Sequence, residues 1–144
     1  MTKRELTGYR DLRFNNWIRN QLPDSCTGFS VSDLDFIVWN YKTRRVLMLE
    51  TKTRESELRP FQDNMFSNID SWIRRGVTAN WTYHGFYLLQ FTDTDFNDGL
   101  CFINEVRHGV TGQDNRVEVS QDQVVEFLSL EWTTSPIEAI ASCA

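Results

Sequence analysis

Asp35, Glu50 and Lys52 are the residues whose types and spacing best suit chemistry. Asp35 opens the apolar run Phe36-Ile37-Val38-Trp39, and Glu50 and Lys52 close a second run from Arg45 to Thr53. Strand side chains alternate faces, so Glu50 and Lys52 share one face while Leu47, Leu49 and Thr51 take the other. The short polar turn Asn40-Tyr41-Lys42-Thr43-Arg44 folds the two runs into an antiparallel hairpin. That pairing brings the start of the first strand beside the end of the second, where Asp35 meets Glu50. Two carboxylates and one ammonium then converge. Such a patch suits a hard divalent cation, Mg²⁺ or Mn²⁺, which takes one or two carboxylates plus waters and phosphate oxygens. A bound cation activates water, and the ammonium attracts phosphate and steadies charge at the transition state. Asp33 has the same parity as Asp35 and is the alternative ligand; Asp35 is preferred because the apolar run starts immediately after it.

The elements that must hold this patch are legible on either side of it. Residues 3–21 carry an imperfect apolar stripe (Leu6, Tyr9, Leu12, Trp17, Ile18) and predict a helix ended by Pro23-Asp24-Ser25. Residues 60–75 predict the clearest helix, with Pro60 at its first position, Phe61, Met65, Ile69 and Trp72 as its buried stripe, and Gly76 as its stop. Gln62 lies about 100° from Phe61 around that helix and is expected to face the site. Gly85 to Phe91 reads as a strand buried on both faces. Strands at 100–103 and 116–119 follow, and Ser120 with Gln123 forms a capping box opening a helix to about Leu130. Ser135-Pro136 opens a short last helix. The order α-β-β-α-β-β-β-α-α makes an α/β (α+β) domain with a mixed central sheet flanked by helices. Trp17, Trp39 and Trp72 stand at apolar positions and are expected in the core; Trp81 and Tyr83, in a loop before a strand, could stack on a base, but burial at an element edge is the expectation preferred.

Asp35 followed fifteen residues later by Glu50-Thr51-Lys52 resembles the PD-(D/E)xK, or restriction endonuclease-like, nuclease superfamily. Its core of a helix, a hairpin carrying the motif, a helix and a further strand corresponds to about residues 3–92, with residues 93–144 as additional strands and helices on a single domain spanning 1–144. The resemblance implies that Asp35 and Glu50 bind metal, that the Thr51 carbonyl is a further ligand, and that Lys52 is the catalytic lysine. It offers Glu5 as the accessory glutamate found in the first helix of Holliday-junction resolvases and other branches, and Gln62 as the glutamine that other branches place in the helix after the motif. Leu34 stands where the family has proline.

The 144 residues carry a net charge of −5. Residues 1–75 hold 13 Lys and Arg against 10 Asp and Glu, whereas residues 76–144 hold 2 against 10. A basic half can present a positive face to phosphate within an acidic protein. Arg10, Arg13, Arg44, Arg45, Arg54 and Arg59 are the candidate nucleic-acid contacts. Three cysteines far apart argue against a disulfide framework or a cysteine zinc site. No stretch reads as a signal peptide or a bilayer span, so a cytoplasmic protein with no membrane partner is expected. His84 and His108 lie outside any triad-like setting, and no phosphate-cradling glycine loop or dinucleotide fingerprint is present. The expected function is a metal-dependent DNA nuclease, structure- or end-directed because no base-reading module is visible, with a homodimer or a protein partner supplying grip. The competing reading is a non-catalytic nucleic-acid- or protein-binding module on a degenerate nuclease fold.

Overall fold

The computed structural model describes residues 13–21, 34–54, 56–94 and 97–138. It divides into a unit from Met1 to Asp33 and a unit from Leu34 to Ala144. In the first, α1 (Arg13–Gln21) realises the described part of the expected helix, and its Phe14 and Trp17 rings stack 5.9 Å apart.

The second unit is a five-stranded mixed sheet with helices. Its elements are β1 (Phe36–Asn40), β2 (Arg45–Lys52), α2 (Pro60–Gly76), β3 (Thr82–Phe91), β4 (Cys101–Glu105), β5 (Val117–Val119) and α3 (Gln121–Ser129). Residues 136–138 begin another helical turn. The strands lie in chain order. Among the described strands, only β2 and β3 run parallel, and the crossover between them carries α2; the other pairs are antiparallel.

The hairpin turn is built by Asn40, whose Oδ1 accepts the N–H groups of Lys42 and Thr43, both at 3.1 Å. Its Nδ2 donates to the Ser129 carbonyl at 2.8 Å, and Thr43 Oγ1 donates to the Leu130 carbonyl at 3.0 Å. The end of α3 thereby fixes the hairpin tip. At the other end of α3 the expected capping box is present: Gln123 N–H donates to Ser120 Oγ and Ser120 N–H to Gln123 Oε1.

Each sheet face has its own apolar cluster. Leu47, Leu49, Leu89, Phe91, Ile103 and Val119 pack with Val124, Phe127 and Leu130 of α3 and its end. Met48, Phe86, Leu88 and Val106 pack with Met65, Phe66 and Ile69 of α2. Burial on both sides explains why β3 reads as an almost continuous apolar run.

The buried stripe of α2 departs from the sequence expectation. Phe61 and Trp72 are exposed, at 55% and 65%, and the buried residues are Phe66, Ser67 and Asp70. The helix is rotated from the Phe61–Trp72 line because Asp70 has partners inside. Its Oδ1 accepts from the Tyr83 hydroxyl and its Oδ2 from Arg74 Nε, each at 2.9 Å. Arg74 Nη2 continues to Glu105 at 3.0 Å. Gly85, at φ +124°, keeps this route open, since a Cβ there would meet Arg74 Nη2 at 2.9 Å. The β2–β3 register shifts between Val46 and Met48, which sets both Tyr83 and Phe86 toward α2. Tyr83 is buried, as expected; Trp39 is 57% exposed, against the expectation of a core position.

His84 packs edge-on against Trp132, ring centroids 4.7 Å apart, and its Nε2 is buried without a hydrogen-bond partner. Burial, aided by the Arg45 guanidinium and opposed by Glu138, holds His84 below the ordinary histidine range. The unfolded chain therefore takes up this proton near pH 6.5, and the folded chain only at lower pH. Stability is full above about 6.5 and is lost as pH falls toward the lowered value. Thermal melts from pH 8 to pH 5 are expected to fall less steeply for His84→Phe than for wild type, by at most about one proton of linkage. Parallel curves would exclude His84 as the source.

Candidate active site

The ladder pairs Phe36 with Leu49, so the next step of the register sets Asp35 opposite Glu50. There the Asp35 backbone N–H donates to Glu50 Oε2 at 3.3 Å. Asp35 Oδ2 accepts two bonds from Thr51, one from its N–H and one from its hydroxyl, both at 2.9 Å. Thr51 thus meets Asp35 through its donors and sets the direction of that carboxylate. Asp35 is exposed, whereas Glu50 is buried.

Lys52 continues the Glu50 face, and Lys52 Nζ donates to Gln62 Oε1 at 3.4 Å. The same oxygen accepts the Arg59 N–H at 3.2 Å. Gln62 therefore does two things: it caps the start of α2 and holds the lysine. The rotation of α2 brings it to half-burial at the edge of the buried face. Pro60 sets the helix start that makes both bonds available.

Two buried amides on this face were not singled out by sequence. Gln90 stands in register with Lys52, and its Nε2 donates to the Ser56 carbonyl at 3.0 Å, tying down the link from β2 to α2. Asn104 is paired with Leu88, which in turn pairs with Glu50. Its Nδ2 donates to the Gly112 carbonyl at 2.7 Å. Together with Glu57, Leu58, Asp63 and Leu88 they line a cavity of about 240 Å³ beside the start of α2. The one available signal was a polar amide inside the apolar runs Phe86–Phe91 and Cys101–Ile103 and just beyond them.

The arginine candidates divide. Arg54 and Arg59 are exposed at the Lys52 end of the hairpin, and Arg44 is exposed at its tip. Arg45 lies over the Trp132 ring and donates to the carbonyls of Leu130 and Trp132. Arg13 belongs to α1, in the other unit. Glu5, Arg10 and Asp33 lie outside the described residues.

Among the described residues, no group of three or more His, Cys, Asp and Glu is placed to hold a metal ion. The candidate donors at the hairpin end are two carboxylates, that of Glu50 on the Asp35 N–H and that of Asp35 on Thr51. That number fits Mg²⁺, which keeps most of its waters and needs only one or two. Among the described residues no helix is long and apolar enough to cross a membrane. No family model matches the chain, and neither a curated protein nor a solved structure matches it.

Proposed function

We propose that the protein is a metal-dependent nuclease that hydrolyses DNA phosphodiester bonds, of the restriction endonuclease-like PD-(D/E)xK kind, directed to structures or ends. The observation that carries this reading is that one end of the hairpin holds two bonded pairs, the Asp35 N–H on Glu50 Oε2 and Lys52 Nζ on Gln62 Oε1, with the Asp35 carboxylate held by Thr51. Asp35 and Glu50 would hold Mg²⁺ or Mn²⁺ between them, with Thr51 aligning Asp35. The bound cation supplies activation of water and neutralisation of phosphate charge. Lys52 presents its ammonium where charge builds on the phosphate, and Gln62 limits the orientations that ammonium explores. Arg54 and Arg59 supply phosphate contacts nearby.

The test has two arms. Calorimetry with Mn²⁺ is expected to show binding in wild type that is lost in Asp35→Asn. A cleavage panel of linear, nicked, flap and four-way-junction DNA with Mg²⁺ or Mn²⁺ is expected to give a product that Glu50→Gln abolishes. Unchanged metal binding in Asp35→Asn would remove that ligand and turn attention to Asp33. A wild type that cleaves no member of the panel with either metal would favour the non-catalytic binding module.

A further inference from the structure

The other end of the same hairpin carries an aromatic surface. Trp39 packs against Trp81 with ring centroids 4.3 Å apart, yet remains 57% exposed. Tyr41, two residues on, is 72% exposed. Lys42 and Arg44 are exposed in the turn that follows. Arg44 is beside Trp81, because its carbonyl accepts the Thr82 N–H at 2.9 Å. Exposed aromatic area of this kind costs solubility and is uncommon without a use.

Charge selects the occupant. Residues 36–49 and 71–92, which meet in the β2–β3 pair, contain no Asp or Glu, although the chain has 20 acidic residues. The cations among them are Lys42, Arg44, Arg45, Arg74 and Arg75. Glu131, next to the Leu130 carbonyl that Thr43 holds, is the acid adjoining the turn. A protein or lipid partner would need only the apolar rings. Rings interleaved with lysine and arginine suit a strand that offers bases and phosphates together.

Position adds direction. The β1–β2 register turns Trp39 to the same face as Asp35 and Ile37. Four residues of strand separate Trp39 from Asp35, about 13 Å at the usual rise. A nucleic-acid strand stacked on the tip would therefore run along the hairpin toward Glu50 and Lys52.

We propose that Trp39, Trp81 and Tyr41, with Lys42 and Arg44, form a stacking platform for single-stranded nucleic acid. This deepens the nuclease reading by naming an unpaired strand as the substrate part that is gripped. Binding itself requires neither metal nor cleavage, so the two readings fail separately.

The experiment uses the full chain in EDTA at low salt. Fluorescein-labelled dT and rU oligomers and a blunt duplex are titrated by anisotropy, with tryptophan quenching as a second readout. Wild type is expected to bind the single strands more tightly than the duplex, with quenching. Trp39→Ala is expected to weaken single-strand binding about tenfold or more, the scale of one lost base–aromatic stack. Lys42→Glu, at an exposed turn position, is expected to weaken binding and flatten its salt dependence. Thermal melts check that both variants are folded. No saturable binding by wild type, or equal binding by Trp39→Ala and Lys42→Glu, would overturn the platform. So would a wild-type dimer in sedimentation that Trp39→Ala disperses, since the rings would then belong to a second copy. Wild type that binds single strands with quenching but cleaves nothing would leave the platform standing and remove the nuclease.

Discussion

Lys52→Met is expected to slow DNA cleavage by roughly a hundredfold or more, the scale seen when one transition-state stabiliser is lost. Methionine keeps much of the apolar stem and removes the charge. Lys52 is not one of the proposed ligands, so Mn²⁺ binding should survive. DNA affinity should fall only modestly, because Arg54 and Arg59 remain exposed at that end. The loss should therefore appear in the single-turnover rate at saturating DNA. Gln62→Ala should show a weaker version of the same defect, since it releases the 3.4 Å bond that holds the ammonium. It should also cost about 0.5–1 kcal/mol of stability, because Gln62 accepts the Arg59 N–H at the helix start. Cleavage by Lys52→Met at the wild-type rate would show that the hairpin end is not the active site.

Asp70→Ala is expected to destabilise the protein by about 1–3 kcal/mol, as when a buried donor loses its acceptor. Asp70 is 1% exposed and receives both Arg74 Nε and the buried Tyr83 hydroxyl. Without it, the Tyr83 hydroxyl loses its acceptor, and Arg74 retains Glu105 and its place over the Tyr83 ring. Burial and the Asp70 carboxylate push the Tyr83 hydroxyl far above the usual tyrosine range, so it is a neutral donor at every working pH. Urea melts measure the loss directly. Tyr83→Phe should cost less, since it removes the donor and leaves Asp70 paired to Arg74. A loss below 1 kcal/mol for Asp70→Ala would mean that water replaces its partners and that the network does not hold α2 to the sheet.

Local pattern was enough for the elements near the site. The apolar runs on either side of Asn40–Arg44 specify two strands, and a turn that short allows only antiparallel pairing. Strand parity then puts Glu50 and Lys52 on one face and brings Asp35 alongside. Pro60, Gly76 and the Ser120–Gln123 box carry their boundary information within a few residues, because caps and stops are local hydrogen-bond and backbone effects. The bounds of α2 and α3 accordingly lie within a residue or two of expectation.

The rotation of α2 was decided elsewhere. Periodicity ranked Phe61 and Trp72 above Asp70 for burial, since an isolated carboxylate is costly to bury. Tyr83 and Arg74 remove that cost, and Tyr83 arrives only when β3 pairs parallel to β2. The register shift at Val46/Met48 and the missing side chain of Gly85 make the approach possible. That rotation sets Gln62 against Lys52 and leaves Phe61 and Trp72 in solvent. Trp39 follows the same rule. Its residue type favours the core, but β1 is an edge strand, and only the packing of neighbours decides whether an edge residue is covered. The candidate residues, and the shared face of Glu50 and Lys52, were thus local properties of the chain, while the partners that orient them, such as Gln62 for Lys52, depended on how the helix packs on the sheet.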